Sequence, residues 1–229
     1  MLDLTNINAS SFMDLLKQES ANKLINAALI AHYQDGQMIH SRGDIKPGLS
    51  IVKTGAVHVG VYDLNGTYII SSTLGVGHSF GEFTMFTSLP RTHDVAASGA
   101  TEIYQIPATK FLTLYAQDKA ISGALLSASL IRSHLLLEML DAVRRLPICP
   151  RTAKFLLIMM RLAGRSHNFK CRQSDLAQTL GVSRMSLSKA LKQLALLGLI
   201  ETGYGEIKVP KFEALAEWVA YIGDTSSLP

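Results

Sequence analysis

Residues 173–193 read QSDLAQTLGVSRMSLSKALKQ, and this stretch decides the fold of the C-terminal part of the chain. Leu176 and Leu180 lie one helical turn apart, which predicts a first helix with an apolar stripe. Gly181 comes next and suits the left-handed conformation that commonly ends a helix. Ser183 is then placed to cap a second helix. Two helices joined by so short a turn predict a helix-turn-helix.

The second predicted helix has two contrasting faces. Its expected buried face holds Leu187, Ala190, Leu191 and Leu194. Its opposite face holds Arg184, Met185, Ser188, Lys189 and Lys192. In a DNA-binding helix-turn-helix, the start of the second helix meets base edges in the major groove, and the start of the first helix holds phosphates. The predicted DNA-binding residues are therefore Arg172, Gln173, Ser183, Arg184, Met185, Ser186, Lys189 and Lys192.

The segment around this motif supports the same interpretation. Ser174 is the predicted N-cap of the first helix. Residues 199–209, LIETGYGEIKV, form two short β-forming runs around a glycine-bearing turn, which predicts a hairpin directly after the second helix. Helix, turn, helix and hairpin in this order make a winged helix. The alternative is an ordinary helical hairpin with a solvated basic face, and the added hairpin argues against it.

Composition and charge limit what surrounds this module. A chain of 229 residues with 48% hydrophobic and 17% charged residues is globular and long enough for two compact domains. Residues 147–229 hold eleven Lys and Arg against six Asp and Glu, whereas residues 1–146 hold eleven against twelve. The basic excess thus lies at the helix-turn-helix end, as expected for a phosphate-binding module.

Several classes of protein are not expected from the composition. No apolar run of about 18 residues and no signal peptide are apparent, so we expect a cytoplasmic protein without a membrane span. Cys149 and Cys171 are far apart and unpatterned, which argues against a disulfide framework, a zinc finger or an iron-sulfur cluster. The histidines lack the close spacing of a metal site, so no metal is expected.

The N-terminal part is predicted to be helical at residues 11–31 and then rich in β-strands. The predicted strands cover residues 37–40, 49–53, 56–62, 67–74, 94–98 and 102–106, with a short helix at 82–87. Turns are expected at Thr54-Gly55 and at Asn65-Gly66, the strongest hairpin signal in the chain. Strands at such close spacing indicate an antiparallel sandwich or barrel.

A long helix is predicted from about residue 119 to residue 145. It has a heptad seam, with one charged member, formed by Ile121, Leu125, Ala128, Arg132, Leu135, Met139, Ala142 and Leu146. We expect this seam to pair with a second subunit in a parallel homodimer. A further apolar face at Ala124, Ile131 and Leu136 would then pack on the barrel. The alternative is that the heptad seam itself packs on the barrel of its own chain. Pro147 and Pro150 are expected to form a hinge.

The order of these parts resembles the family of bacterial transcription regulators typified by the cyclic-AMP receptor protein and the fumarate-nitrate regulator. The resemblance covers nearly the whole chain and is most specific at SDLAQTLGVSRMSLSKALKQL. It implies an α+β fold with an N-terminal antiparallel β-roll (1–118), a dimerisation helix (119–146) and a winged helix-turn-helix (147–229). It also implies a homodimeric, sequence-specific regulator of transcription that binds a palindromic DNA site, is controlled by a ligand through the roll and has RNA polymerase as a candidate partner.

The resemblance also suggests an effector site. Phe80-Gly81-Glu82 and then Arg91-Thr92 stand where the family has its phosphate-binding cassette. In members that bind cyclic nucleotides, the Glu accepts from the ribose hydroxyl, and the Arg and the adjacent Ser or Thr take the cyclic phosphate. The matching residues are Gly81, Glu82, Arg91 and Thr92, and a cyclic nucleotide is the candidate effector. Arg91 is expected in a loop, where it would contribute little to the core.

This chain departs from the cyclic-AMP receptor at three places. The gap between Glu82 and Arg91 is one residue shorter, and His93 stands where a small residue is usual. Leu136-Leu137 replace the hydroxyl-bearing residues that face adenine. These departures leave the effector unidentified. Surfaces that contact RNA polymerase have no sequence pattern, so activation and repression both stay open.

Two features of the sequence are compatible with functions other than DNA binding. The winged helix could contact a protein partner instead of DNA. Residues 77–81, GHSFG, also fit the G-x-S-x-G nucleophile elbow of serine hydrolases. An elbow requires a parallel sheet, whereas the flanking segments here are predicted hairpin strands. We therefore expect that the protein is not an enzyme.

Overall fold

The computed structural model describes residues 11–162, 168–170, 173–203 and 205–225. They form two compact units, of which one ends at Leu130 and the other begins at Ile131. The first unit is rich in β-strands, and the second is mainly helical. Each has its own apolar core.

The first unit is built on an antiparallel sheet. Its strands are β1 (Leu29–Tyr33), β2 (Met38–His40), β3 (Gly48–Tyr62), β4 (Tyr68–Leu74), β5 (Ser79–Phe80) and β6 (Asp94–Pro107). The order is β1-β6-β3-β4, with β2 paired to β6 and β5 paired to β3. All of these pairings are antiparallel, which confirms the predicted α+β fold with an antiparallel β-roll.

Helices cover this sheet on one side. They are a 3-10 helix (Met13–Leu15), α1 (Gln18–Ala27), α2 (Glu82–Thr87), α3 (Ala108–Gln117) and the first part of α4 (Lys119–Arg145). Ile51 packs with Phe111 and Ile121 in the helix-facing cluster, whereas the next residue, Val52, packs with Ile103 in a second cluster. Successive side chains of a strand point to opposite faces, so β3 contributes to both clusters.

Two predicted strand breaks are absent, one in β3 and one at residues 99–101 of β6. One predicted helical end is a strand. β3 runs through Thr54-Gly55 as an irregularity in its pairing with β6, and Gly55 there has a φ of +76°. A Cβ atom at Gly55 would lie 2.6 Å from the carbonyl oxygen of Ala100, so glycine allows the two strands to approach. Residues 29–31, expected to be helical, begin β1 because they pair with β6.

The second unit is a winged helix-turn-helix, as predicted. Its helices are α5 (Ile148–Leu162), α6 (Gln173–Thr179), α7 (Arg184–Leu196) and α8 (Phe212–Thr225). Its strands are β7 (Asn168–Lys170), β8 (Glu201–Gly203) and β9 (Glu206–Lys208), in the order β7-β9-β8. The leucines predicted to be buried on α6 and α7 lie in one core cluster. β7 and α8 had not been predicted.

The predicted hinge is shorter than expected. α4 ends at Arg145 and α5 begins at Ile148, so Pro150 lies in the first turn of α5 rather than in a linker. A proline is tolerated there because the first amides of a helix have no partner within the helix.

The predicted dimer seam of α4 packs within its own chain. Ile121, Leu125 and Ala128 belong to the helix-facing core of the roll. Farther along, Leu135 and Ala142 are also buried, at 3% and 0% exposure. The prediction that this seam pairs with a second subunit is therefore wrong. Periodicity shows that a helix has an apolar face, but it does not show which surface covers that face.

A different face of α4 is apolar and exposed. This exposed α4 face consists of Leu126, Leu130, Leu136, Leu137, Leu140 and Val143, each between 41% and 66% exposed. At about 100° per residue, Leu126, Leu130, Leu137 and Leu140 lie roughly opposite Leu135, and Leu136 and Val143 lie to one side of them. By length and composition alone α4 could also cross a membrane, but Ile121, Ala124, Leu125 and Ala128 on this helix are buried in the core of the roll.

His40 is a partly buried histidine of the roll. Its Nε2 atom lies 3.0 Å from the Oγ atom of Ser50, and its ring meets the Phe80 ring edge-on, with 5.3 Å between centroids. The pKa of His40 is lowered to about 4, mainly by burial and also by the nearby Arg91, while Asp44 opposes this. The imidazole is therefore neutral in the folded protein at neutral pH.

We expect His40 to destabilise the roll in acid. Its pKa in the folded state lies below the ordinary value of 6.5, so the unfolded chain binds a proton first as the pH falls. The contribution of neutral His40 to the free energy of unfolding is fully present above pH 6.5. It is lost as the pH falls toward 4, and the loss amounts to up to about 3 kcal/mol. Urea unfolding of the wild type and of His40→Gln between pH 7 and pH 4 measures it. As the pH falls, the wild type should lose more free energy of unfolding than His40→Gln does; a constant difference between the two proteins would contradict this.

Candidate nucleic-acid interface and effector site

The start of α7 is fixed by a serine pair. Ser183 is its N-cap, as predicted, and its Oγ accepts from the backbone N–H of Ser186 at 3.1 Å. The same hydroxyl donates to the Oγ of Ser186 at 2.9 Å. The hydroxyl hydrogen of Ser183 is thus engaged, whereas that of Ser186 remains available to a donor contact. Ser186 is therefore the better placed of the two serines to donate a hydrogen bond to an outside acceptor.

The turn between α6 and α7 depends on small residues. Gly181 has a φ of +65°, and the N–H of Val182 donates to the carbonyl of Ala177 at 2.9 Å. Ala177 is 2% exposed in the core between the helices. The predicted cap of α6 is corrected, because α6 begins at Gln173 and Ser174 therefore lies inside its first turn.

One exposed face of α7 is basic. Met185, Lys189 and Lys192 are exposed and follow each other at spacings of four and three, so they share one side of the helix. Arg184 is exposed beside them, and α7 contains no carboxylate. Gln173 is exposed at the start of α6, while Arg172 lies outside the described residues. This arrangement offers a positive surface with one apolar side chain, Met185, at its N-terminal end.

The hairpin after α7 forms the wing. Gly205 has a φ of +70° in its turn, and the exposed pair Lys208 and Glu201 joins the two strands at 3.4 Å. β7 adds a third strand that the sequence did not reveal, since three residues are too few for a periodic signal. α8 did carry a signal, the helical spacing of Phe212, Leu215 and Ala216, all of which are buried.

Three of the candidate effector residues, Gly81, Glu82 and Arg91, lie close together where β5 passes into α2. Gly81 has a φ of +97° at the N-terminus of α2. A Cβ atom there would lie 2.8 Å from Nη1 of Arg91 and 2.9 Å from the carbonyl oxygen of Gly48. Glycine is therefore required both for the backbone conformation and for the close approach of the guanidinium.

Arg91 is a buried residue rather than an exposed loop residue. It is 9% exposed, and its Nη2 donates to the carbonyl of Lys46 at 3.0 Å. Its buried Nε has no hydrogen-bond partner among the described residues. Burial lowers the pKa of Arg91, while Asp44 and Glu82 act against this shift. The expectation that Arg91 contributes little to the core is thus wrong. A buried cation with a spare donor is suited to an anion.

Glu82 and Thr92 differ in their placement. Glu82 is buried at 8% exposure and lies close enough to Arg91 to influence its pKa. Thr92 is exposed, and its Oγ1 lies 2.9 Å from Nδ1 of His93. Glycine, guanidinium and hydroxyl together fit a phosphate group better than an uncharged ligand.

A groove of about 370 Å³ lies elsewhere on the roll. It is lined by His32, Tyr33, Thr54, Ala100, Thr101 and Glu102, and no predicted effector residue lines it. Glu102 forms an ion pair with Lys53 at 2.8 Å, and its Oε1 atom lies 3.2 Å from Nδ1 of His32. Its carboxylate is thus already neutralised, and we assign the effector site to Arg91 because buried polar groups converge there.

Ser79 does not have the surroundings of a hydrolase nucleophile. It is 1% exposed and lies on β5, opposite Ile51 in an antiparallel pair. Its Oγ has no hydrogen-bond partner in the described part of the chain, so no base activates it. The GHSFG segment is instead the strand and turn that lead into α2.

Each of the two units matches a family of known protein domains. The family model of the cyclic nucleotide-binding domain matches residues 30–118, and that of the Crp-like helix-turn-helix domain matches residues 150–218. The cyclic AMP receptor protein of Thermus thermophilus is 29% identical over 194 residues, which cover 82% of this chain and 87% of that protein. The first match is compatible with a cyclic nucleotide effector, and the comparisons indicate no other cofactor.

Solved structures agree with this assignment. The crystal structure of the Thermus thermophilus catabolite activator protein is 26% identical, covers 93% of this chain and 99% of its own, and gives a TM-score of 0.50. FixK2 from Bradyrhizobium japonicum shares the fold, with a TM-score of 0.66 at 20% identity over 83% of this chain and 96% of its own. The chain therefore belongs to the family of transcription regulators typified by the cyclic-AMP receptor protein and the fumarate-nitrate regulator, and it carries their helix-turn-helix DNA-binding domain.

Proposed function

We propose that the protein acts as a cytoplasmic homodimer that reads a palindromic DNA site and responds to an anionic effector in its β-roll. The observation that carries the DNA-binding part is the exposed, carboxylate-free basic face of α7. Duplex DNA presents a dense array of phosphates, and such a face is attracted to it. RNA polymerase remains a proposed further partner.

The exposed α4 face supports the homodimer. Leu126, Leu130, Leu137 and Leu140, with Ser133, follow the alternating spacing of four and three that is typical of paired helices. A second copy of the chain offers the same surface across a two-fold axis. Covering a leucine fully contributes about 1.5–3 kcal/mol, so several leucines on each copy are enough to favour pairing. We keep residues 119–146 as the proposed dimerisation segment, between a sensor at 1–118 and a DNA-binding domain at 147–229.

Leu130→Asp tests this interface. It should give a monomer, because a carboxylate on the exposed α4 face would meet its symmetry mate in the interface without water. Ser127→Asp is the matched control, since Ser127 is exposed on the same helix but outside the exposed α4 face. Sedimentation equilibrium at micromolar concentration should show Leu130→Asp at the monomer mass and the control at twice that mass. A Leu130→Asp dimer would place the interface elsewhere.

Base recognition is assigned to the start of α7. The Arg184 guanidinium has two parallel donors that match the O6 and N7 acceptors of guanine. Met185, 72% exposed, offers an apolar contact to a thymine methyl group. Gln173, Ser183 and Arg172 are proposed to hold phosphates, and Ser186 and Lys189 to donate to bases or phosphates. Two such helices in a dimer would enter major grooves about 34 Å apart.

Arg184→Ala and Lys192→Ala should weaken DNA binding in different ways. Arg184→Ala should cost about 1–3 kcal/mol per half-site and relax selection at one guanine. Lys192→Ala should weaken all sequences alike and reduce the salt dependence by about one ion per subunit. Selection from a random duplex library, followed by salt titrations, measures both. Unchanged selection by Arg184→Ala would make Arg184 a phosphate contact. Binding without salt dependence would instead favour a protein partner.

The proposed effector is a cyclic nucleotide. The relative from Thermus thermophilus is described as a cyclic AMP receptor protein, and the roll matches the cyclic nucleotide-binding family. Arg91 and Thr92 would hold the cyclic phosphate, Glu82 would accept from the ribose hydroxyl, and Gly81 would leave room for both. The spare Nε donor of Arg91 is the structural support for this assignment. Binding would then alter the arrangement of the dimer helices and so the DNA affinity.

Arg91→Lys should reduce affinity for cyclic AMP by about tenfold or more while the protein stays folded. Lysine keeps the positive charge but lacks the planar set of donors that reaches both Lys46 and a phosphate. Arg91→Ala is less suitable, because it would leave a cavity in the roll and the carbonyl of Lys46 without its donor. Calorimetry gives the affinity, and thermal unfolding checks the fold. No signal with wild-type protein at millimolar cyclic AMP or cyclic GMP would reject the cyclic nucleotide.

A further inference from the structure

Thr92 and His93 form a hydrogen-bonded pair at the mouth of the proposed effector site. The Oγ1 atom of Thr92 lies 2.9 Å from Nδ1 of His93. Thr92 is exposed and adjoins Arg91, whose Nε is a buried donor without a partner among the described residues. His93 is half-buried and sits directly before β6. The residue next to the proposed phosphate ligand is therefore titratable.

The hydroxyl of Thr92 has only one hydrogen to donate. When Nδ1 of His93 carries no hydrogen, it accepts the hydrogen of Thr92. A phosphate oxygen at the site would then compete with the imidazole for this one donor. When His93 is protonated, both ring nitrogens donate, so Nδ1 donates to Oγ1 and the hydrogen of Thr92 is free to turn to an anion.

The charges around His93 favour its neutral form in the absence of an anion. Burial lowers the pKa of His93, and the positive Arg42, on the segment between β2 and β3, lowers it further. Asp94, the first residue of β6, acts in the opposite direction. The Oδ1 atom of Asp94 is partly engaged, since it accepts from the backbone N–H of Arg42 at 2.8 Å. An anion bound beside Thr92 would add negative charge and so raise the pKa.

We propose that neutral His93 holds the hydroxyl hydrogen of Thr92 away from the effector and that protonated His93 releases it, so that anion binding strengthens as the pH falls. His93 is thus a positioning residue that acts through Thr92. This inference rests on the proposed function, because it takes Arg91 and Thr92 as ligands of the anion. It adds proton binding at His93 as a second factor that controls anion binding at the same site.

The direction of this pH dependence follows from the linkage between anion binding and proton binding. Between the pKa of His93 in the free protein and its higher pKa in the anion-bound protein, only the bound protein carries the proton. The affinity for the anion therefore rises as the pH falls through the higher pKa. Because only one proton is taken up, the affinity for the anion can change by at most about tenfold per pH unit. We expect wild-type protein to bind cyclic AMP at least about threefold more tightly at pH 5.5 than at pH 7.5, within the limit that one proton sets.

Calorimetric titration with cyclic AMP at pH 5.5, 6.5 and 7.5 tests this inference. His93→Ala removes the competing acceptor, so it should bind more tightly than the wild type at pH 7.5 and show little dependence on pH. A merely structural role for His93 would produce a loss of affinity instead. Thr92→Val lacks the hydroxyl and should bind weakly at every pH. His40→Gln controls for the other histidine near Arg91 and should keep the pH dependence of the wild type.

The outcomes separate the two proposals. If wild type and His93→Ala bind cyclic AMP with the same pH dependence, the role of His93 is overturned while the effector site stands. If His93→Ala does not fold, Thr92→Val decides, because a pH dependence that survives without the hydroxyl overturns the inference. If the wild type binds neither cyclic AMP nor cyclic GMP at any of these pH values, the proposed effector falls, and the role of His93 falls with it.

Discussion

Burial of one face of α4 is the interaction on which the rest of the structure depends. Ile121, Leu125 and Ala128 complete the helix-facing core of the roll, and farther along Met139 packs against the core of the winged helix. Each fully buried aliphatic side chain contributes about 1.5–3 kcal/mol, so this face is committed within the chain. The opposite face, which includes Leu130, is exposed and is the surface that we propose for pairing with a second copy of the chain.

The effector site shows a second constraint, the close approach of a guanidinium to a backbone. Gly81 permits Arg91 to lie against the turn into α2, and the carbonyl of Lys46 holds one end of the guanidinium. Burying the Nε donor without a partner costs roughly 1–3 kcal/mol, which a bound anion would recover. In the proposed role, this unpartnered donor would be available to the effector at a cost in the stability of the roll. The pair Thr92 and His93 makes the remaining donor of this site depend on a proton.

The two proposed sites differ in how they are built. The DNA-binding face of α7 is held by local features, namely the cap at Ser183, the left-handed Gly181 and the small Ala177. The effector site joins residues that are far apart in sequence, from Lys46 to Arg91. A site of the first kind follows from a short stretch of sequence. A site of the second kind requires the sheet to be assembled.

The sequence by itself determined the helix-turn-helix, the cap at Ser183, the antiparallel strands and the bounds of α4, because helical periodicity, capping and turn formation act over a few residues. Only the tertiary structure decided which face of α4 is covered, that β3 and β6 run through their predicted breaks, and that Leu29 begins a strand rather than ending a helix. It also decided that Arg91 is buried. Each of these depends on pairing or packing with residues distant in the chain, and local pattern carries no information about such partners.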